Sequence, residues 1–179
     1  MGNIIDAIGN TPLVEITSFH NNPKVKIYAK LEGNNPAGSV KDRPALNMIR
    51  SAIERGDIKK GDKLIEATSG NTGIALAMIA SMYEMELELV MPSSSTRERT
   101  LTMEAFGAKV TLLENMEVCR DYAEEKAAKE GVFILNQFAN PDNYEAHVKT
   151  TGPEIWRDTA GKITHFVSAM GTTGTIMGC

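Results

Sequence analysis

The sequence predicts an α/β fold built on a parallel β-sheet, and three observations lead to it. Short runs rich in apolar residues, such as Lys63–Ala67 and Lys109–Leu113, have strand length, whereas Asn71–Met82 has the length and composition of a buried helix. The two kinds of segment alternate along the chain. The connections between them are short and rich in turn residues. Because repeated strand–helix units with short connections produce parallel strands, we expect a parallel sheet covered by helices.

The first quarter of the chain predicts two strands and a helix. Apolar residues in Leu13–Ile16 indicate a short strand, and alternating apolar and lysine residues predict a strand over Val25–Leu31 with one solvated face. A helix follows, with Ser39 as a candidate N-cap, Pro44 in its first turn and Gly56 at its end. Its apolar residues recur at the spacing of one helix face: Ala45, Met48, Ile49, Ala52 and Ile53.

The rest of the chain continues the alternation. Further strands are predicted over apolar runs closed by turn residues: Lys63–Ala67, Leu87–Met91, Lys109–Leu113, Val132–Leu135 and Thr164–Ser168. Further helices are predicted between them: Asn71–Met82, Ser95–Phe106, Val118–Lys129 and Asp142–Asp158. We expect one of the serines 93–95 to cap the helix that follows them, and the last helix to be interrupted near Gly152 and Pro153.

Composition excludes several classes of function. The chain has 179 residues, of which 42% are hydrophobic and 23% charged, as in an ordinary globular protein. The net charge is -4 and no basic stripe is present, so we expect no nucleic-acid partner. The start of the chain has no signal-peptide pattern, and the longest apolar run, Ile74–Ala80, is too short to span a membrane. Two distant cysteines, Cys119 and Cys179, suit a reducing cytoplasm.

One lysine stands where lysine is normally avoided. Lys41 lies in the loop Gly33–Arg43, between the second predicted strand and the first helix. A cation at a helix N-terminus opposes the helix dipole. A lysine held there has a lowered pKa and a more nucleophilic amine, which predicts a chemical role. The alternative is a solvated lysine on the surface, and this loop alone does not decide between the two.

Two polar loops follow predicted strands, where ligands of parallel sheets bind. Thr68–Gly73 joins a strand to a helix, and Gly171–Thr175 follows the strand predicted at Thr164–Ser168. Backbone N–H groups and hydroxyls at such positions bind a carboxylate or a phosphate. The alternative for each loop is a tight turn with a capping threonine. Two such loops together with Lys41 favour a phosphorylated ligand.

Other chemistries lack their signatures in the sequence. Gly56 and Gly61 have the spacing of a phosphate-binding P-loop, but Asp62 occupies the position that requires lysine. Neither a dinucleotide-binding glycine motif nor a serine-hydrolase elbow is present. The three histidines, His20, His147 and His165, are isolated from one another and lack metal-ligand spacing. We therefore expect no metal site.

Three motifs of the chain resemble the signatures of the cysteine synthases, also called O-acetylserine sulfhydrylases. They are Pro36–Arg43, Thr68–Gly73 and Gly171–Thr175, and the opening Ile8–Leu13 is similar too. The resemblance runs over essentially the whole chain. The stretches 31–38 and 151–156, together with Thr173, resemble the B type of that family.

The resemblance implies a cofactor and a role for each matching residue. The cofactor would be pyridoxal 5′-phosphate, with Lys41 as the catalytic Schiff-base lysine and Asn71 hydrogen-bonded to the cofactor's 3′ oxygen. The residues implied to hold the cofactor's phosphate are Gly171, Thr172, Thr173, Gly174 and Thr175. The residues implied to hold the substrate carboxylate are Thr68, Ser69, Gly70, Thr72 and Gln137.

The resemblance also implies a fold and a reaction. The fold would be a two-domain, three-layer αβα architecture of fold-type II, with residues 1–44 and 148–179 in the large cofactor-binding domain and 45–147 forming the smaller one. The reaction would be a β-replacement that converts O-acetyl-L-serine and sulfide (or thiosulfate) to L-cysteine (or S-sulfocysteine). A cytoplasmic homodimer is implied, with no membrane partner.

The length of the chain departs from the family pattern. Family members are longer, roughly twice the size of a usual domain. The second half of the large domain is absent, as is the serine that meets the pyridine nitrogen. We expect a polypeptide ending at Cys179 to be inactive and poorly folded outside the middle region. The readings left open are the N-terminal part of a working cysteine synthase, an inert α/β binding module, and a serine or threonine dehydratase.

Overall fold

The computed structural model describes residues 2–18 and 21–179, and a parallel sheet lies at its centre. Two short N-terminal strands, β1 (Leu13–Glu15) and β2 (Tyr28–Lys30), pair antiparallel as a separate ribbon. The central sheet has four strands: β3 (Lys63–Ala67), β4 (Glu86–Pro92), β5 (Lys109–Leu113) and β6 (Phe133–Ile134). Their order is β5-β4-β3-β6 and every pairing is parallel, which confirms the predicted α/β fold class.

Seven α-helices occur in the described residues: α1 (Asp42–Arg55), α2 (Asn71–Met82), α3 (Arg97–Ala105), α4 (Met116–Glu130), α5 (Pro141–Ala146), α6 (Gly152–Asp158) and α7 (Gly174–Gly178). A π-helical turn, His147–Thr151, joins α5 directly to α6. Two 3-10 turns, Ile4–Ala7 and Glu32–Asn34, precede α1. No helix in this part of the chain is both long and apolar enough to cross a membrane.

Helices cover both faces of the sheet, and the strand residues divide between them. On one face Leu64 and Leu89 pack with apolar residues of α1 and α2. On the other face Ile65 and Val90 pack against α4 through Cys119. Successive residues of a strand point to opposite faces, so strands buried on both sides are apolar throughout. The result is a three-layer arrangement of helix, sheet and helix.

Several predicted boundaries agree with the structure. The bounds of β3, α2 and β5 are those expected from the sequence. Gly56 and Gly131 end α1 and α4 with φ of +79° and +67°, a conformation that glycine adopts without steric cost. Pro44 lies in the first turn of α1, as expected. The apolar patterns and turn residues of these elements lie within the elements themselves. Helices cover both faces of the sheet, as predicted.

Two predicted strands differ from the structure. The strand expected over Val25–Leu31 is confined to Tyr28–Lys30, and Val25 and Ile27 are exposed at 45% and 36%. The strand expected over Thr164–Ser168 is not formed, and Val167 is 92% exposed. A strand requires a partner for its backbone N–H and C=O groups. Among the described residues no strand lies beside 164–168, so its apolar sequence alone does not make it one.

The predicted helix starts are corrected by a few residues. Ser39 is not the N-cap of α1; its hydroxyl accepts the backbone N–H of Lys41 at 3.1 Å, and the helix begins at Asp42. The serines 93–95 do not cap α3, which begins at Arg97 after an extended Thr96. The interruption expected near Gly152 falls one turn earlier, as the π-helical turn that precedes α6. The division of the chain into 45–147 and its flanks stays a prediction, and His20 lies outside the described residues.

Candidate active site

The predicted site residues meet at one cavity of about 400 Å³. It lies where the loop after β3, the loop after β6 and the start of α1 converge with residues 171–172. Most of the sequence-predicted residues line it: Lys41, Thr68, Ser69, Gly70, Asn71, Thr72, Gln137, Gly171 and Thr172. The volume is in the usual range for a small-molecule site.

Lys41 stands immediately before the first turn of α1 and is half-buried. Burial lowers the pKa of its amine, because leaving water disfavours the charged form. Within the described part of the chain no carboxylate lies within 4 Å of its Nζ. The amine is therefore free of an ion pair that would hold it protonated.

His147 is a neutral group buried near this lysine. It is fully buried, and burial, together with the positive charges of Lys41 and Arg43, lowers its pKa to about 4. Its Nδ1 lies 2.8 Å from Thr151 Oγ1, and its Nε2 lies 3.3 Å from Thr175 Oγ1. At neutral pH the ring thus carries no charge into the site, and it links the π-helical turn to the start of α7.

A buried ionic network holds the first turn of α1 in place. The Arg43 guanidinium, with a side chain only 1% exposed, makes two bonds to the Glu154 carboxylate at 2.7 and 2.8 Å. It also donates to Glu32 at 2.7 Å, and Lys30 reaches Glu154 at 2.6 Å. Burial acts to raise the pKa of Glu154, but the bonds from Arg43 and Lys30 outweigh it and lower the pKa to about 2. Because Lys41 is two residues from Arg43, this network positions the lysine.

The loop 68–73 runs from the carboxyl end of β3 into α2, as predicted. Asn71 is the first residue of α2 and is exposed. A Cβ on Gly73 would lie 2.7 Å from Met103 Cε and 2.8 Å from Thr68 Cγ2. A larger residue at position 73 would therefore force the Met103 side chain of α3 and the Thr68 side chain to shift. The loop is also held from outside, since Arg99 donates to the carbonyl oxygen of Ser69 at 3.0 Å.

Gln137 is held in the cavity wall by polar contacts to its side chain and to its backbone. The Thr72 hydroxyl donates to Gln137 Oε1 at 2.8 Å, which leaves the amide N–H groups of Gln137 for a ligand. The buried Glu66 carboxylate accepts the backbone N–H groups of Asn136 and Gln137 at 3.0 and 3.1 Å. Burial raises the pKa of Glu66, against the effect of these bonds. Glu66 thereby fixes the loop that carries Gln137.

The segment 171–175 contributes unevenly to the cavity. Gly171 and Thr172 line it, whereas the Thr173 hydroxyl donates to Met177 Sδ at 3.2 Å. Thr175 faces His147, and Gly174 is buried. Only Gly171 and Thr172 of the five residues thus line the cavity. Phosphate binding by all five residues stays a prediction.

Sequence reasoning missed several residues of the site. Glu66 could have been noticed in the sequence, because it is a carboxylate within a predicted strand whose neighbouring residues are apolar. Arg99 and Phe138 line the cavity, with Arg120 stacked on the Phe138 ring at 4.8 Å. Arg99 lies on a helix whose exposed charged residues look alike in sequence, so no signal singles it out.

The chemistry of the lining favours an anion. Its charged residues are Lys41 and Arg99, and the other polar lining residues carry hydroxyls or amides. No acidic side chain is among the described residues that line the cavity. The described ranges also hold no cluster of three or more metal-ligating side chains. The cavity can therefore bind negatively charged groups around an amine whose pKa is lowered.

Comparison with known proteins places this geometry in a family context. A family model described as pyridoxal-phosphate dependent enzyme matches residues 4–179. Cysteine synthase B of Pseudomonas aeruginosa is 57% identical over 178 residues, covering 98% of this chain and 60% of that protein. Cysteine synthase A of Escherichia coli is 46% identical over 176 residues, covering 96% of this chain and 54% of that protein. The resemblance read from the motifs is confirmed, and the higher identity is to the B-type relative.

A solved structure agrees with the sequence relatives. The crystal structure of cysteine synthase from Entamoeba histolytica matches with a TM-score of 0.94 at 41% identity, covering 99% of this chain and 55% of that chain. The chain thus spans about 60% of the length of the B-type relative and just over half of the other two proteins.

Proposed function

The chain belongs to the pyridoxal-phosphate dependent enzymes, and we propose that it serves the synthesis of L-cysteine from O-acetyl-L-serine and sulfide. Its similarity to cysteine synthases of both types supports this reaction. The observation that carries the proposal is that Lys41, Asn71 and Thr172, distant in sequence, line one cavity.

The residues of the cavity suit pyridoxal phosphate. An amine with a lowered pKa, that of Lys41, is available for an aldehyde. Hydroxyl and amide donors are available for an anion, and a Cβ added to Gly171 would meet no atom within 4 Å, so its backbone faces open space. No carboxylate among the described lining residues would repel a phosphate. In this arrangement Lys41 would hold the aldehyde carbon, Asn71 the ring oxygen, and residues 171–175 the phosphate.

The remaining chemistry is divided among the chain's own residues. When bound, pyridoxal phosphate supplies an electron-withdrawing ring for the carbon that bears the amino group. Once free of the aldehyde carbon, the Lys41 amine, whose pKa is lowered by burial, would remove the α-proton of O-acetylserine at Nζ. Loop 68–72 and the free amide N–H groups of Gln137 would bind and orient the substrate carboxylate. Acetate would leave the β-carbon, and sulfide would take its place there.

The lysine assignment is tested by covalent trapping in the complete protein. We expect borohydride reduction of the cofactor-loaded protein to attach pyridoxyl phosphate to Lys41, identified by peptide mass spectrometry. Lys41→Ala should abolish the adduct and cysteine formation. Lys149→Ala, which changes an exposed lysine, is the matched control and should leave both unchanged. An adduct on another lysine would overturn the assignment, and a trapped cofactor without turnover would favour an inert binding module.

The sulfur donor and the assembly are further proposals. We propose that the protein also accepts thiosulfate and forms S-sulfocysteine, because its identity is higher to the B-type relative. Steady-state rates with sulfide and with thiosulfate would decide between the donors. We also propose a homodimer in the cytoplasm, which the family resemblance and the two free cysteines support. Sedimentation equilibrium tests the dimer, and a monomer at all concentrations would contradict it.

A further inference from the structure

We infer that Asn143 is a positioning residue that joins the two anion-binding loops of the proposed site. It lies on α5, outside the residues that line the cavity, and is 5% exposed. Its side chain bridges the loop of Gln137 and the segment that begins with Gly171. The inference rests on the proposed function, because the two loops are those assigned to the substrate carboxylate and the cofactor phosphate.

The bridge consists of two donated hydrogen bonds from a single nitrogen. Asn143 Nδ2 donates to the carbonyl oxygen of Gln137 at 2.7 Å and to Thr172 Oγ1 at 3.0 Å. The first acceptor belongs to the loop after β6, and the second lies 29 residues along the chain from Asn143. Because both bonds start from one amide group, a shift of either loop strains the bond to the other.

The bond to Thr172 also sets what that hydroxyl can do. Thr172 Oγ1 accepts from Asn143 Nδ2 at 3.0 Å and from the backbone N–H of Gly174 at 3.5 Å. A hydroxyl has two acceptor lone pairs and one proton. With both acceptor positions occupied, the proton is left to donate to a ligand in the cavity, which is the role that a phosphate requires.

The position of the amide oxygen of Asn143 explains why residue 174 is a glycine. Asn143 Oδ1 is buried, and no hydrogen-bond partner for it is present among the described residues. A Cβ built on Gly174 would overlap this oxygen. A side chain at position 174 would therefore push Asn143 away from Thr172. The asparagine and the glycine form one fitted unit behind the cavity.

Two substitutions of Asn143 separate hydrogen bonding from packing. Asn143→Asp keeps the shape but lacks the donor, and its carboxylate would accept the Thr172 hydroxyl and turn that proton away from the ligand. Asn143→Ala removes the bridge and leaves a small space. If the bridge acts by donation, Asp is the more harmful change. If Asn143 only fills space, Ala is the more harmful change.

The measurements are two dissociation constants on the full-length protein. One is for pyridoxal phosphate with the cofactor-free protein, followed by absorbance. The other is for L-serine with the loaded protein, since L-serine carries the carboxylate without the acetyl leaving group. We expect Asn143→Ala to raise both constants by about tenfold, the value of one hydrogen bond, and Asn143→Asp to raise them further.

Asn140→Ala is the matched control, because Asn140 is the asparagine that precedes the same helix, α5. Its side chain accepts the backbone N–H of Asp142 at 2.9 Å and donates to the carbonyl oxygen of Leu135 at 2.8 Å, so it caps α5 without touching Thr172. We expect this change to lower the melting temperature and to leave both dissociation constants within about twofold, as for a capping contact.

The outcomes distinguish this inference from the proposed function. Unchanged constants in both Asn143 variants, or an Ala variant weaker than the Asp variant, would overturn the bridge. Loss of one affinity without the other would overturn the coupling between the loops. A wild-type protein that takes up no pyridoxal phosphate would overturn the proposed function, and the inference with it. If Asn143→Asp fails to fold, Asn143→Leu, which fills the space without a donor, gives the same comparison with Asn143→Ala: it is the more harmful change if the bridge acts by donation, and the less harmful if Asn143 only fills space.

Discussion

The central sheet and the segment 164–170 are both apolar in sequence, yet they differ completely in burial. Leu89, Val90 and Met91 of β4 are fully buried. In the second region Val167 is 92% exposed and Met170 75% exposed. Strand β4 has β3 on one side and β5 on the other, with helices over both faces. The difference teaches that apolar residues predict a strand only where the fold provides neighbours for it.

The sheet also differs from a third region, the junction of the N-terminal segment, α1 and α6, in the forces that stabilise it. The sheet and its helices are held by apolar packing, which gains free energy from the area removed from water. The N-terminal segment and α6 are instead joined to α1 by the buried network of Arg43, Glu154 and Glu32. A buried ion pair gains little overall, but removal of one partner leaves an uncompensated charge. The sheet and this junction should therefore respond to different substitutions.

The largest effect is expected from Arg43→Met. It leaves the buried Glu154 with Lys30 alone and the half-buried Glu32 without its guanidinium, at a cost of about 3–5 kcal/mol in unfolding free energy. Urea unfolding measures the cost, and hydrogen exchange locates it. We expect protection to fall in residues 9–15 and 152–158 while β3 and β4 keep theirs. Arg50→Met, an exposed change on the same helix, is the control and should be nearly silent. A uniform loss of protection would show that the junction and the sheet unfold as one unit.

The second effect compares matched apolar deletions in the sheet and in the segment 164–170. Leu89→Ala in the sheet should lower the unfolding free energy by about 2–5 kcal/mol, because it removes buried methyl groups and leaves a cavity. Val167→Ala should change it by less than about 0.5 kcal/mol, as at other exposed positions. Both changes in unfolding free energy are measured from the midpoints of urea unfolding, provided that the dependence of free energy on urea concentration is the same in each variant. A large loss at Val167 would mean that this residue is covered in solution, and would contradict the difference in burial between the sheet and the segment 164–170.

The smallest effect is the acid dependence of the ionic junction. The folded-state pKa of Glu154 is about 2, below the ordinary value of 4.5, so its ionised form stabilises the fold above that ordinary value. This contribution is lost as the pH falls from about 4.5 to about 2. Glu154→Gln should remove that part of the acid dependence of the unfolding midpoint. Glu117→Gln, an exposed change on α4, should leave the pH profile as in the wild type. Equal profiles for wild type and Glu154→Gln would contradict the role of the network.

A good part of the candidate site could be predicted because its signals are local. The turn residues of 68–73, and Lys41 before a helix, are visible within a few positions, and Lys41 and residues 68–72 line the cavity in the structure. The glycine-rich segment was also visible, although only Gly171 and Thr172 line the cavity. The residues that support the site were not visible. Glu66 binds backbone groups 70 and 71 residues away, and Asn143 reaches Thr172 across 29 residues.

By itself the sequence determined the elements whose information lies within one segment. Periodicity and turn chemistry set the bounds of β3, α2 and β5 and the ends of α1 and α4. The spacing of apolar residues within a segment indicates whether that segment forms a strand or a helix. The tertiary structure decided the rest: that 164–168 forms no strand, that the helix after α5 changes to a π-turn, and that Arg43 is buried between two carboxylates. These outcomes depend on partners far along the chain, and the free energy of a buried polar group depends on the partner it meets.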